Sequence, residues 1–180
     1  MKTLTLLRHA KSGSGEQGLR DYDRPLNAKG RRAGQAVGQR MRGLGLEFDH
    51  VVASPAIRVA ETLEEVAAGY GRTLAPEWDR RIYLASAATL LDLVGDLPDS
   101  ASSVLLAGHN PGLEDLVLHL VPDRSDDRLR EDVEEKFPTA SVAELVFDLD
   151  SWGQVARGTA RLARFIRPRD LDPSLGPDLA

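Results

Sequence analysis

Leu4-Thr5-Leu6-Leu7-Arg8-His9 is the stretch from which the fold is read. A short apolar run closed by charge, Thr3 to Leu7, reads as a strand buried on both faces. Outward from it, apolar runs of this kind alternate with helical patterns, which predicts an α/β fold. Asn27 is placed to cap a helix running to about Arg42, with Ala33, Ala36, Val37 and Met41 as its small or apolar face. Its Gly34 and Gly38 either weaken that helix or mark close packing. Val51 to Ala53 is a second strand, stopped by Ser54-Pro55, and a helix follows to about Ala68. We expect a short strand at Thr73 to Ala75, a helix from Ala87 to Leu97, a buried strand from Val104 to Ala107 and a helix from Leu113 to Leu120. Ala140 to Leu149 and Thr159 to Ile166 read as strands joined by a turn near Ser151 to Gly153. They would add an antiparallel edge to a mostly parallel sheet between two layers of helices, a three-layer α/β/α sandwich.

The chain of 180 residues is the size of one domain, and we expect residues 1–167 to form it. The tail from Pro168 to Ala180 is rich in Pro and Asp, and we expect it to fray. Asp123 to Lys136 carries seven acids and four bases. It reads as a solvated loop or exposed helix rather than a binding tail. Gly13 to Arg24 reads as a loop. Cysteine is absent, so disulfides, thiolate zinc sites and cysteine nucleophiles are excluded. The N-terminal apolar run is too short for a signal sequence, and no stretch approaches a membrane span. We therefore expect a cytoplasmic protein, with no membrane partner. The net charge of −5 carries no basic block, so nucleic acid is not an expected partner. No amphipathic segment is left over for an interface, and a monomer is expected.

Open α/β sheets bind ligands beyond the carboxyl ends of their strands. Three strands deliver candidate groups there: Arg8 and His9, then Ser54 with Arg58 one helical turn later, then His109 ahead of a helix N-terminus. Guanidinium forks suit phosphate oxygens, and a helix N-terminus offers free N–H groups. Together they describe a phosphoryl site. Ser54 lacks a Gly-x-Ser-x-Gly elbow, which favours a turn role over a nucleophile. His50 and His119 lack such context and read as structural or exposed.

Arg8-His9-Ala10-Lys11-Ser12 resembles the Arg-His signature of the histidine phosphatase superfamily, the phosphoglycerate-mutase-like proteins. Asp23-Arg24-Pro25-Leu26 with Gly30, then Ser54-Pro55-Ala56-x-Arg58-x-x-Glu61-Thr62, and Gly108-His109-Asn110-Pro111 are similar to its SixA branch, named for a phosphohistidine phosphatase. Phe137-Pro138-Thr139-Ala140 extends the likeness to the late strands. The resemblance implies that His9 is the nucleophile and is transiently phosphorylated. It also implies that Arg8, Arg58 and His109 hold the phosphoryl group, with no metal and no cofactor. Ser12 and Asn110 are further candidates for substrate contact. Arg24 either extends the anion site or forms a salt bridge with Asp21 or Asp23. Many relatives carry a glutamate shortly after the third strand to protonate the leaving group. Here that position falls near Arg80, so the candidate acids are its neighbours Glu77 and Asp79, each with a solvent-facing alternative, and Asp21 and Asp23, which could reach in from the first loop. The expected substrate is a phosphohistidine protein or another labile phosphate. The rivals are a phosphatase or mutase acting on a small phosphorylated metabolite, and a non-catalytic phosphate-binding module. The short chain has no long insertion to build a lid, which favours hydrolysis over mutase transfer.

Overall fold

The computed structural model describes residues 1–13 and 18–177. One six-stranded sheet runs in the order β3-β2-β4-β1-β5-β6, with β1 at Lys2–Arg8, β2 at His50–Ala53, β3 at Glu77–Trp78, β4 at Ser103–Gly108, β5 at Val142–Phe147 and β6 at Ala160–Ile166. β3, β2, β4 and β1 are mutually parallel, while β5 runs antiparallel to β1 and β6 antiparallel to β5. The Leu4 to Leu7 run therefore sits near the middle of the sheet, where both faces must be apolar. Leu4 and Leu6 point into one core and Leu7 into the other, as strand alternation requires. Each such fully buried leucine contributes about 1.5–3 kcal/mol. The first core lies under α3 (Ala87–Gly95), α4 (Gly112–Leu120) and α5 (Arg128–Glu135). The second lies under α1 (Ala28–Gly43) and α2 (Ile57–Tyr70). This is the expected three-layer sandwich with an antiparallel edge. No helix among the described residues is long and apolar enough to cross a membrane.

Asn27 caps α1 by accepting from Gly30 N. Gly38 marks close packing: a Cβ there would lie 2.1 Å from the Val66 carbonyl oxygen of α2. Gly30 similarly admits the Lys11 carbonyl, 2.1 Å from where its Cβ would stand. That contact seats the first turn of α1 against the chain just beyond the strand-end pair.

Three expectations are corrected. The third strand is Glu77–Trp78, not residues 73–75. It pairs with Val52 and Ala53 at the sheet edge with both side chains exposed, so it has no apolar pattern to read. The tail does not fray from Pro168. Pro168–Leu171 forms α6, which is followed by a 3-10 turn at Pro173–Leu175, and both pack on α1. Arg32 holds Ser174 Oγ at 2.9 Å, and Lys29 reaches the Gly176 carbonyl. Residues 178–180 of that expected tail, and 14–17 of the expected loop, lie outside the described residues. The acidic stretch is not wholly solvated. Arg130 is buried, donating to the Val121 and Leu118 carbonyls, and Val133 sits in the core. An arginine capping a neighbouring helix reads as polar in sequence, although its stem and head are both packed.

Candidate active site

Arg8 ends β1 and His9 follows, fastened on both sides: His9 N donates to the Gly108 carbonyl at 3.0 Å, and the His9 carbonyl accepts from Ala140 N at 3.0 Å. The parallel register that sets Arg8 beside Gly108 brings the next residues, His9 and His109, together with ring centroids 5.4 Å apart. Ser54 N donates to the Ala107 carbonyl, and one turn into α2 the buried Arg58 reaches the same place. The three strand ends thus converge because β2, β4 and β1 are adjacent.

His9 Nδ1 lies 2.8 Å from the Ala10 carbonyl. A carbonyl only accepts, so Nδ1 carries the proton and Nε2 keeps its lone pair. Burial is the main cause that lowers His9 to about 4. The Ala10 carbonyl opposes this, and Arg58, Arg8 and Arg24 add to it. His109 falls to about 3, through burial first and then the charges of its neighbours, with Asp21 acting in the other direction. Both imidazoles are neutral at neutral pH. Arg58 Nη2 approaches His109 Nδ1 at 3.4 Å, and His109 Nε2 meets Ser54 Oγ at 2.8 Å. Since a guanidinium only donates, the His109 proton is on Nε2 and points at the serine. Ser54 therefore orients His109, in addition to its turn role of accepting from Ala56 N.

Asp21 organises the cationic side. Its carboxylate takes Arg58 at 2.9 Å, Arg24 at 2.9 Å and the Tyr83 hydroxyl at 2.6 Å. These contacts, led by the Tyr83 hydroxyl, hold it at about 2. Arg24 resolves as the Asp21 salt bridge, and it also donates to Ser12 Oγ at 2.9 Å. Arg8 donates to the Phe137 carbonyl at 2.7 Å, while its Nε is buried without an acceptor. Arg8, Arg24 and Arg58 thus gather around His9, with Asp21 set against Arg24 and Arg58 and the charge of Glu114 acting on Arg8.

The other candidates are placed as follows. Asn110 donates to the Phe137 carbonyl and accepts from Glu114 N, so its amide braces the loop and caps α4. The early N–H groups of α4 at Leu113, Glu114 and Asp115 are all engaged within the chain. Asp23 pairs with Arg20 at 2.8 Å and Asp79 with Arg81 at 2.7 Å. Glu77 lies 3.7 Å from His50, which opens β2 at the far end from the site. The fold does not bring Glu77 to His9.

Two residues were not legible as site residues. Tyr83 packs edge-on against His109 at 5.4 Å and lies over the Arg58 guanidinium at 6.0 Å. Thr62, fully buried, accepts from Ala10 N at 2.8 Å and donates to the Arg58 carbonyl at 2.6 Å. It joins the carrier of the second arginine to the residue that fixes the His9 tautomer. Its place in the Glu61-Thr62 motif was the one available signal.

The family model for the histidine phosphatase superfamily (branch 1) matches residues 4–82. A solved structure from Nakamurella multipartitia, provisionally assigned as the phosphohistidine phosphatase SixA, is 30% identical and superposes with a TM-score of 0.80 over 93% of this chain and 96% of that one. The chain belongs to the histidine phosphatase superfamily, in its SixA branch. A second SixA structure, from Agrobacterium tumefaciens and also provisionally assigned, is 26% identical with a TM-score of 0.77, covering 93% of this chain and 98% of its own. An uncharacterized protein of Mycobacterium tuberculosis, Rv1276c, is 32% identical over 164 residues, 91% of this chain and all of the relative. A SixA-branch assignment supports a phosphatase, and the phosphoglycerate-mutase-like sandwich described above is the fold of these relatives.

Proposed function

We propose that this chain hydrolyses labile phosphate compounds, phosphohistidine in a protein above all, through a phosphohistidine intermediate on His9. The observation that carries the reading is His9 Nδ1 held by the Ala10 carbonyl, which leaves Nε2 with its lone pair in the field of the Arg58 and Arg8 guanidiniums. In the first step Nε2 bonds to phosphorus as the bond to the leaving group breaks. Arg8 and Arg58 neutralise the equatorial oxygens, which makes a metal unnecessary for charge stabilisation. His109, whose Nδ1 accepts from Arg58 in the free site, takes a proton from solvent at Nδ1 as the dianion arrives, keeps it, and donates a hydrogen bond to a phosphoryl oxygen. Water next attacks the same phosphorus, the P–Nε2 bond returns its electrons to His9, and the protons of water stay on the released phosphate.

The leaving group decides the substrate class. Every candidate acid, Asp21, Asp23, Asp79 and Glu77, lies against a cationic or titratable partner, and Asp21 is ionised far below neutral pH. A phosphohistidine protonated on its other ring nitrogen departs as neutral imidazole and needs no carboxylic acid. An alkyl phosphate departs as an alkoxide and does need one. The test compares turnover of a phosphohistidine peptide, an aryl phosphate and an alkyl phosphate by wild type and His9→Ala. The expected order places the alkyl ester at least about a hundredfold behind, the weight of one general acid. Full activity in His9→Ala would overturn the nucleophile, and equal turnover of alkyl ester and phosphoramidate would overturn the substrate class.

A further inference from the structure

Beside the phosphoryl site, and sharing Arg8 with it, lies a second concavity of about 350 Å³. Its wall carries Arg8, Lys11, Lys29, Lys136 and Arg169, and no carboxylate among the described lining residues. A chain with a net charge of −5 has gathered five cations around one small space. Like charges so arranged repel; Lys11 and Lys29 have partners and Glu114 acts on Arg8, and an anion in the cavity would relieve what repulsion is left, chiefly at Lys136 and Arg169. Elsewhere the arginines of this protein are commonly tied to acids, as Arg31, Arg81 and Arg167 are. Lys136 and Arg169 have no carboxylate partner among the described residues. Lys11 and Lys29 have partners of their own, and Lys29 reaches the Gly176 carbonyl.

The concavity is built rather than incidental. The Phe137 carbonyl receives both Arg8 and Asn110, and Ala140 N holds the His9 carbonyl, so the loop carrying Lys136 and Thr139 is pinned to the nucleophile's own backbone. The opposite wall is the segment expected to fray. Pro168 is buried, and the turn after α6 is drawn onto α1 by Arg32 and Lys29, which sets Arg169 facing the same space. Ordering these residues has an entropic cost, and lining a cationic cavity next to the phosphoryl site gives that order a use.

We propose that this cavity binds a second anionic group of the substrate, a carboxylate or a phosphate, while the phosphoryl group sits at His9. The inference rests on the phosphatase reading of the His9 site and adds a substrate requirement to it. Two sources share that chemistry, acidic residues flanking a phosphohistidine and the second phosphate of a small metabolite.

The experiment has one arm for each. The first compares phosphohistidine peptides flanked by glutamate or by alanine. The second compares fructose 1,6-bisphosphate with fructose 6-phosphate, as substrates and as competitors of aryl phosphate hydrolysis. Binding of the same compounds to His9→Ala is read by calorimetry, so the result does not depend on turnover. Wild type should prefer the doubly anionic member of one pair by about tenfold in KM, the size expected of two partly exposed ion pairs. The Lys136→Glu/Arg169→Glu variant should lose that preference. Lys136→Glu alone, at an exposed side chain, should lose part of it and guards against a folding defect in the pair. A preference for the glutamate peptide identifies a protein substrate, and one for the bisphosphate a metabolite. No preference in either arm, or a preference that survives charge reversal, overturns the proposal. The phosphatase reading fails separately, on the aryl phosphate and the His9→Ala control.

Discussion

Replacing Thr62 by valine removes one oxygen and changes almost no volume, yet it should damage both stability and activity. The hydroxyl is completely buried and serves two backbone groups, the Ala10 N–H at 2.8 Å and the Arg58 carbonyl at 2.6 Å. The Arg58 carbonyl lies in the first turn of α2 and keeps its helical partner after the change. The Ala10 N–H has no such reserve and is left as an unpaired donor in the core. A stranded buried donor costs about 1–3 kcal/mol. For a chain of this length that lowers the melting temperature by roughly 2–4 °C per kcal/mol, so a shift of about 4–8 °C is the central expectation. The effect on activity follows from the same atoms. The Ala10 carbonyl holds His9 Nδ1, and Arg58 rides on the helix that Thr62 ties to it. Loosening that tie should lower kcat for an aryl phosphate by about tenfold, since small misplacements of reacting groups are costly. Thermal melts and steady-state kinetics on Thr62→Val and Thr62→Ser give the answer. Serine keeps the hydroxyl and should recover most of both losses. A valine variant as stable and as active as wild type, or a serine variant as poor as valine, would refute the hydrogen-bond argument.

The low His9 value has a testable sign. An unfolded histidine takes up its proton near pH 6.5 and folded His9 only near about 4, so acid favours the unfolded chain across that window. Stability should drop as pH falls from about 6.5 towards 4, by about 2 kcal/mol more in wild type than in His9→Gln at pH 5. Urea titrations showing the same loss in both proteins would count against a buried, neutral His9. The acid limb of kcat/KM should likewise lie nearer pH 4 than 6.5, and a limb at 6.5 would contradict the shift. Gly38→Ala should destabilise the chain by several kcal/mol or prevent folding, because its Cβ would stand 2.1 Å from the Val66 carbonyl oxygen. A melt within a degree of wild type would mean that α1 and α2 are not packed this closely. Dialysis against a chelator should leave aryl phosphate turnover within about twofold, because the guanidiniums supply the charge a metal would. Activity lost on chelation and restored by a divalent cation would require a different electrostatic scheme.

Much of the architecture was readable because burial leaves a periodic trace. Leu4 to Leu7, Val51 to Ala53 and Val104 to Ala107 are strands sealed on both faces, and continuous apolar runs announce them. The edge strand Glu77–Trp78 has both side chains exposed and only the hydrogen bonds of its neighbour to define it. No pattern of side chains records such a strand. Asn27 announced its helix because capping is local, within three residues. Gly38 stayed ambiguous because the surface it admits lies 28 residues away in sequence, at Val66.

The chemistry divides along the same line. The sequence by itself determined the candidate inventory: Arg8, His9, Arg58 and His109, each at a strand end or one turn beyond it. That was possible because a parallel sheet presents all its carboxyl ends at one edge. Tertiary structure alone decided how those groups are held. It paired Asp21, Asp23 and Asp79 with arginines, and it set Glu77 beside Val52 on the sheet edge with its carboxylate turned to His50. It assigned the His9 tautomer, made Thr62 and Ser54 positioning residues, and folded the polar tail into a cationic wall. The physical reason is range. Strand and helix patterns arise from neighbours along the chain, whereas ion pairs and buried hydrogen bonds depend on which distant segments meet.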